Sequence, residues 1–197
     1  MPIGISDEHE ALRQAARGWV ERHCGPAVPR SALDVERDSL PPFWADLAAQ
    51  GWLGLHVDEA LGGEGYGLPE LAVVLEELGR ACAPGPLLPT VLTAAVLQAA
   101  GKEIAADIVP GLASGETVGT VALGGPLDAE PAGDGLQVRG TLRGVPSAHL
   151  AGVLIARAGD EWCALVTGEF SATELQSLDP TRRVAEVHVD GLYLIHI

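Results

Sequence analysis

Lysine is nearly missing from this chain: of twelve basic residues among 197, only Lys102 is a lysine. The formal net charge is −15, so no basic stripe exists to neutralise a phosphodiester backbone, and charge disfavours nucleic-acid binding; no nucleic-acid partner is expected. Cysteine is scarce as well. Cys24, Cys82 and Cys163 are odd in number and far apart in sequence, so they form no structural disulfide framework and no metal-ligand spacing, which fits a reducing cytoplasm. The six histidines form no H-x-x-x-H spacing, so no metal site is expected. No apolar run approaches the ~18 residues of a spanning helix, and the N-terminus MPIGISDEHEALRQ lacks the basic start and apolar run of a signal peptide. A soluble, cytoplasmic protein without membrane contact is expected.

What is present divides near residue 115. Ser6 is placed to cap a helix carrying Leu12, Ala16, Trp19 and Val20 at helical spacing, stopped by Gly25-Pro26. Pro41-Pro42 opens a short helix, FWADLAAQ, that Gly51 closes. The segment GWLGLHVDEALGGEGYGLPE reads as an extended stretch followed by an ordered glycine loop. Pro69 starts a third helix with Leu71, Val74, Leu75 and Leu78 on one face. The adjacent Glu76 and Glu77 diverge by about 100°, so they form a solvated or salt-bridged face, not an acid–base pair. TVLTAAVLQAA is apolar on nearly every side and belongs inside, and a last helix, KEIAADIVPGLASG, is expected to break at Pro110.

From residue 116 the period changes from 3.6 to 2. ETVGTVALGG, GLQVRGTL, HLAGVLIARAG, EWCALVTG and RRVAEVHVDG are short, rich in β-branched and aliphatic residues, and separated by glycine and aspartate. The expected fold class is α+β: an all-α domain over 1–115, then a small antiparallel β domain over 116–197. The closing GLYLIHI has no cap, turn or polar tail and reads as a β domain cut short.

PPFWADLAAQGWLGLHVDEALGGEGYGLPELAVVLEELGRACAP resembles the helical N-terminal signature of acyl-CoA dehydrogenases. GTLRGVPSAHLAGVLIARAG is similar to that family's strand pair under the flavin, and SLDPTRRVAEVHVDG to its D-x-T-R strand. The resemblance implies a three-part subunit, with a C-terminal helical bundle not present here. It implies FAD as cofactor, an acyl-CoA substrate, electron-transfer flavoprotein or a similar acceptor, and a homo- or hetero-oligomer. The reaction would take a proton from Cα and a hydride from Cβ, and the glutamate base belongs to the bundle, so no catalytic residue is assigned in this chain. The cofactor-contacting positions implied are Val121, Leu123, Gly124, Val145, Pro146 and Ser147.

Two departures from the family pattern bear on this. Gly124-Gly125 stand where Thr-Glu would be, and Gly144-Val145-Pro146 replace Trp-Ile-Thr; Pro146 has no N–H to offer. Main-chain N–H groups of Val121 and Leu123 could still meet the ring carbonyls. These departures suit a divergent member working in a hetero-oligomer on sterol side chains or dicarboxylic acyl-CoAs. They leave two alternatives open: a non-catalytic partner subunit, or a flavin oxidase or monooxygenase on the same scaffold.

Overall fold

The computed structural model describes residues 6–36 and 39–195. Helix α1 (Asp7–His23) starts where Ser6 Oγ accepts the His9 N–H at 3.2 Å, and Asp7, Glu8 and Glu10 place negative charge in its first turn. A short α2 (Ala27–Ser31) follows within the stretch that carried no helix signal. Then come α3 (Trp44–Ala49), α4 (Leu68–Arg80), α5 (Leu87–Ala100) and α6 (Lys102–Ala113). Helices α1 and α4 lie side by side and run in the same direction. His9 Nε2 meets Glu70 Oε1 at 2.8 Å, and Arg17 holds Glu77 with two 2.9 Å bonds. Of the two adjacent glutamates, Glu77 is the internal one, 2% exposed, and its carboxylate is kept below the ordinary range by the Arg17 hydrogen bond.

Two expectations about the helical part fail. Residues 51–57 are not extended; they form successive turns, with Gly54 N–H on Gly51 O and Val57 N–H on Gly54 O, leading to a 3-10 turn at Glu59–Leu61. Trp52, Leu53, Leu55 and Val57 all become buried by turning, so the apolar run reflects burial on every side. Helix α6 also does not break at Pro110. Pro110 removes one donor only, its own carbonyl still accepts Ser114 N–H at 3.0 Å, and Val109 and Leu112 are fully buried on either side of it.

The strands form two sheets: β1 (Gly119–Val121), β4 (Val153–Ala158) and β5 (Glu161–Val166) in the order β1-β4-β5, and β2 (Asp128–Ala132), β3 (Gly135–Pro146), β7 (Val184–Ile195) and β6 (Ser171–Glu174) in the order β2-β3-β7-β6. Pairing is antiparallel except for β1 with β4, which is parallel, so the β part is mixed. Strands β2 and β6 carry no strand signal because DAEPA and SATE are short edge strands in which no residue is fully buried, so neither shows an apolar face. Leu154, Ala156 and Leu165 face Val138, Leu142, Ala185, Val187 and Val189 in the core between the sheets. A separate apolar cluster, Leu97, Val109 and Leu112 against Val121, Val153 and Ile155, joins the helical layer to the β1-β4-β5 sheet.

Candidate functional site

Strand β1 sets one wall of the site. Its Gly119 N–H points away from β4, donating to Thr90 Oγ1 at 3.3 Å, and Ala122 N–H points toward β4, donating to Ile155 O at 2.8 Å. Donors alternate along a strand, so the Val121 N–H faces the side of β1 that has no strand neighbour. The Val121 side chain is buried on the helical layer and the residue is 4% exposed overall, so any ligand contact falls to its backbone on that edge. Strand β3 ends against β1: Thr120 Oγ1 donates to Pro146 O at 2.5 Å, latching the two sheets together. Pro146 itself offers a ring and no donor.

Val121, Leu123, Gly124, Val145 and Pro146 converge on one cavity of about 170 Å³, together with Ala122, Leu142, Arg143 and Gly144. Leu123 and Gly124 lie just beyond the end of β1, not on the strand; Leu123 is 77% exposed, and a Cβ on Gly124 or Gly144 would meet nothing within 4 Å. Ser147 is not brought to this cavity. It is 4% exposed in a left-handed conformation (φ +51°), its N–H is used by Arg183 O, and it lines a second cavity.

That second cavity, about 540 Å³, is mostly apolar and lies between α4, the turn after it, the start of α5 and the end of β3. Leu75, Leu78, Gly79, Leu87 and Leu88 form its helical side, and Pro146, Ser147 and Val184 its strand side. Pro146 lines both cavities. The sequence signal for the helical side was the apolar face of α4 through Leu75 and Leu78; Leu87 and Leu88 belong to the proline-rich APGPLLP, and Leu88 is 51% exposed.

The D-x-T-R segment anchors the floor. Asp179 Oδ1 accepts both the N–H and the hydroxyl of Thr181, at 2.9 and 2.6 Å. Arg183 donates to the carbonyls of Val35, Glu36 and Pro180 and to Glu174 Oε1, tying β7 to the segment after α2. Among the described residues no group of His, Cys, Asp and Glu is arranged to hold a metal, and no helix is long and apolar enough to cross a membrane.

Residues 6–116 match the family described as acyl-CoA dehydrogenase, N-terminal domain. The chain belongs to the acyl-CoA dehydrogenase family. It is 34% identical over 182 residues to the acyl-CoA dehydrogenase IpdE2 of Mycobacterium tuberculosis, a match covering 92% of this chain and 51% of the relative. Among solved structures it is similar to the ChsE4-ChsE5 complex of M. tuberculosis, with 25% identity and a TM-score of 0.85 over 99% of this chain and 57% of that one. It is also similar to the Tcur3481-Tcur3483 steroid acyl-CoA dehydrogenase variant, with 28% identity and a TM-score of 0.81 over 96% of this chain and 56% of that one. The chain thus spans about half the length of these relatives.

The family's flavin can be tested against this geometry. A cavity of about 170 Å³ is below the ~300–1,000 Å³ of enclosed ligand pockets, so it suits one edge of a flat ring and not the whole cofactor. The unpaired Val121 N–H and the open space over Gly124 and Gly144 fit such an edge, because backbone can approach a plane closely there. Arg143, at the margin, is already engaged by Glu186 at 2.7 Å.

Proposed function

We propose that this chain supplies the acyl-binding cavity and one flavin-facing rim of an FAD-dependent acyl-CoA dehydrogenase subunit, acting in the cytoplasm within a homo- or hetero-oligomer. The reading divides the chain into a helical domain over 1–115 and a β domain over 116–197. The observation that carries it is the shared wall at Pro146: an apolar cavity large enough for an acyl group abuts a rim of open backbone. Bound FAD would supply the acceptor for the hydride leaving Cβ. Val121 would offer its N–H to a ring carbonyl. Pro146 would stand beside both the ring edge and the acyl chain, and Thr120 would hold that proline in place through its 2.5 Å bond. Leu75, Leu78, Leu87 and Leu88 would exclude water from the Cα–Cβ bond. No carboxylate of this chain is given the role of base, and electron-transfer flavoprotein or a similar acceptor would take the electrons.

Gly79 tests the acyl part. A Cβ there meets nothing within 4 Å, and the position faces the 540 Å³ cavity from within α4. Gly79→Leu in the full-length protein with its partners should leave FAD content unchanged and weaken acyl-CoA binding at least tenfold. Unchanged acyl-CoA affinity would exclude this cavity as the acyl site.

A second reading has its own support. Gly124-Gly125 carry no side chains, Pro146 has no N–H, and the Thr120 hydroxyl is already spent, so the rim is poor in donors. That favours a non-catalytic partner subunit of a heteromeric dehydrogenase, in which this rim holds no flavin. FAD stoichiometry in the assembled complex separates the two.

A further inference from the structure

A larger cavity, about 650 Å³, lies where α1 and α4 end, beside the 540 Å³ cavity but distinct from it, and two thiols line it, Cys24 and Cys82. Cys24 caps the C-terminus of α1 and is buried; Cys82 follows Ala81, the C-terminal cap of α4, and is exposed. The parallel packing of the two helices sets their level. The cross-bridges His9–Glu70 and Arg17–Glu77 join residues 61 and 60 apart, so this register carries Cys24 to the turn that holds Cys82. Burial raises the Cys24 thiol's pKa, and the neighbouring Cys82 adds to that shift. Cys82 also adopts a left-handed backbone (φ +51°) in the turn closed by Ala83 N–H on Leu78 O at 3.0 Å, a position that normally takes glycine or asparagine. The third cysteine, Cys163, sits apart in β5 with its Sγ 3.4 Å from Ala156 O.

We propose that Cys24 and Cys82 form a covalent modification site that closes to an intramolecular disulfide by exchange with a low-molecular-weight disulfide. The exposed Cys82 thiolate attacks one sulfur of the incoming disulfide, forming a mixed disulfide and releasing one small thiolate. Cys24, losing its proton, then attacks Cys82 Sγ; the mixed S–S bond breaks and the second small thiol leaves. The two cysteines are oxidised by two electrons, and one small disulfide is reduced to two thiols. The bond fixes the turn at Cys82. Ala83, Gly85, Leu87 and Leu88, directly after that turn, line the acyl cavity, so the modification sits one residue from its wall.

The test uses the full chain, reduced, desalted and incubated with oxidised glutathione before free thiols are alkylated. The site predicts an intact mass, read before alkylation, lower by two hydrogens, a Cys24–Cys82 cross-linked peptide, and reversal by dithiothreitol. Cys24→Ala should stop at a glutathione adduct on Cys82, and Cys82→Ser should leave Cys24 unmodified. Wild-type protein that keeps glutathione on Cys82 with Cys24 free, or that gains no modification at either, overturns the proposal. Because the Cys82→Ser position is exposed, its fold serves as the control if Cys24→Ala proves unstable.

Discussion

Replacing Gly63 by alanine should be among the most damaging single-methyl changes available in this chain. A Cβ at Gly63 would sit 2.2 Å from the carbonyl oxygen of Val57 and 2.5 Å from its Cβ, and Val57 is fully buried. Neither side can yield easily. Gly63, Glu64, Gly65 and Tyr66 donate to the carbonyls of Asp58, Gly54, Val57 and Leu55 at 2.9–3.1 Å, so moving the loop lengthens several bonds together. Overpacking a close contact costs about 1–3 kcal/mol, and each hydrogen bond lost adds about 1 kcal/mol. A total of about 3–4 kcal/mol lowers the melting temperature by roughly 6–16 °C for a chain of this size. Gly18→Ala is the control: it lies inside α1, its Cβ would meet only the flexible Arg22 guanidinium at 3.4 Å, and it should stabilise by about 0.5–1 kcal/mol. Calorimetric melts of the two variants decide the matter. If Gly63→Ala melts with wild type, the glycine loop is not packed against Val57 as described.

Other outcomes follow from single residues. His56 is 6% exposed, neither ring nitrogen has a partner in normal geometry, and burial holds its pKa below the ordinary value despite the nearby Val91 main chain. The folded state therefore refuses a proton that the unfolded state takes. Stability is fully present above about pH 6.5 and falls below it by at most about 1.4 kcal/mol per pH unit, and His56→Leu should flatten that slope in denaturant titrations at successive pH values. Glu77 and Glu70 are both held below the ordinary carboxylate range by their bonds to Arg17 and His9. Their contribution is present above about pH 4.5 and is lost as acid protonates them, a second phase that Glu77→Gln should reduce. Thr120→Val removes the latch to Pro146 while keeping shape, and equilibrium unfolding should show a loss of about 1–2 kcal/mol. Leu112→Ala, fully buried between α6 and β1, should cost about 2–5 kcal/mol in the same measurement.

The helical half was legible where a cap or glycine punctuates an amphipathic run, as at Ser6, Gly51, Pro69 and Gly101. It was misread where burial on all sides erases periodicity. The run Trp52 to Val57 looks extended on paper and is a string of turns, because no face of it meets water. Pro110 looked like a break because its own donor is missing, yet tertiary packing of Val109 and Leu112 carries the helix past it. The strand Val184–Asp190 was clear, with Ala185, Val187 and Val189 inward, while β2 and β6 gave no signal because these edge strands bury no residue fully and show no run of apolar side chains. The rim positions came from family resemblance, and spacing alone could not separate Ser147 from them. Its left-handed backbone turns it from the 170 Å³ cavity toward the 540 Å³ one. The Thr120–Pro146 latch and the Arg183 clamp join residues 26 and about 150 apart, and nothing local announces such contacts.

The central claim, that the backbone edge running from Val121 to the exposed Gly124 seats one edge of a flavin, is tested most directly by the FAD-to-protein ratio of the full-length assembly carrying Gly124→Val. Gly124 is exposed and nothing lies within 4 Å of an added Cβ, so valine is tolerated by the fold and occupies only the ring's place. The account predicts that the variant assembles normally and retains at most a tenth of the wild-type flavin. An assembled Gly124→Val complex with the full wild-type flavin content would contradict it.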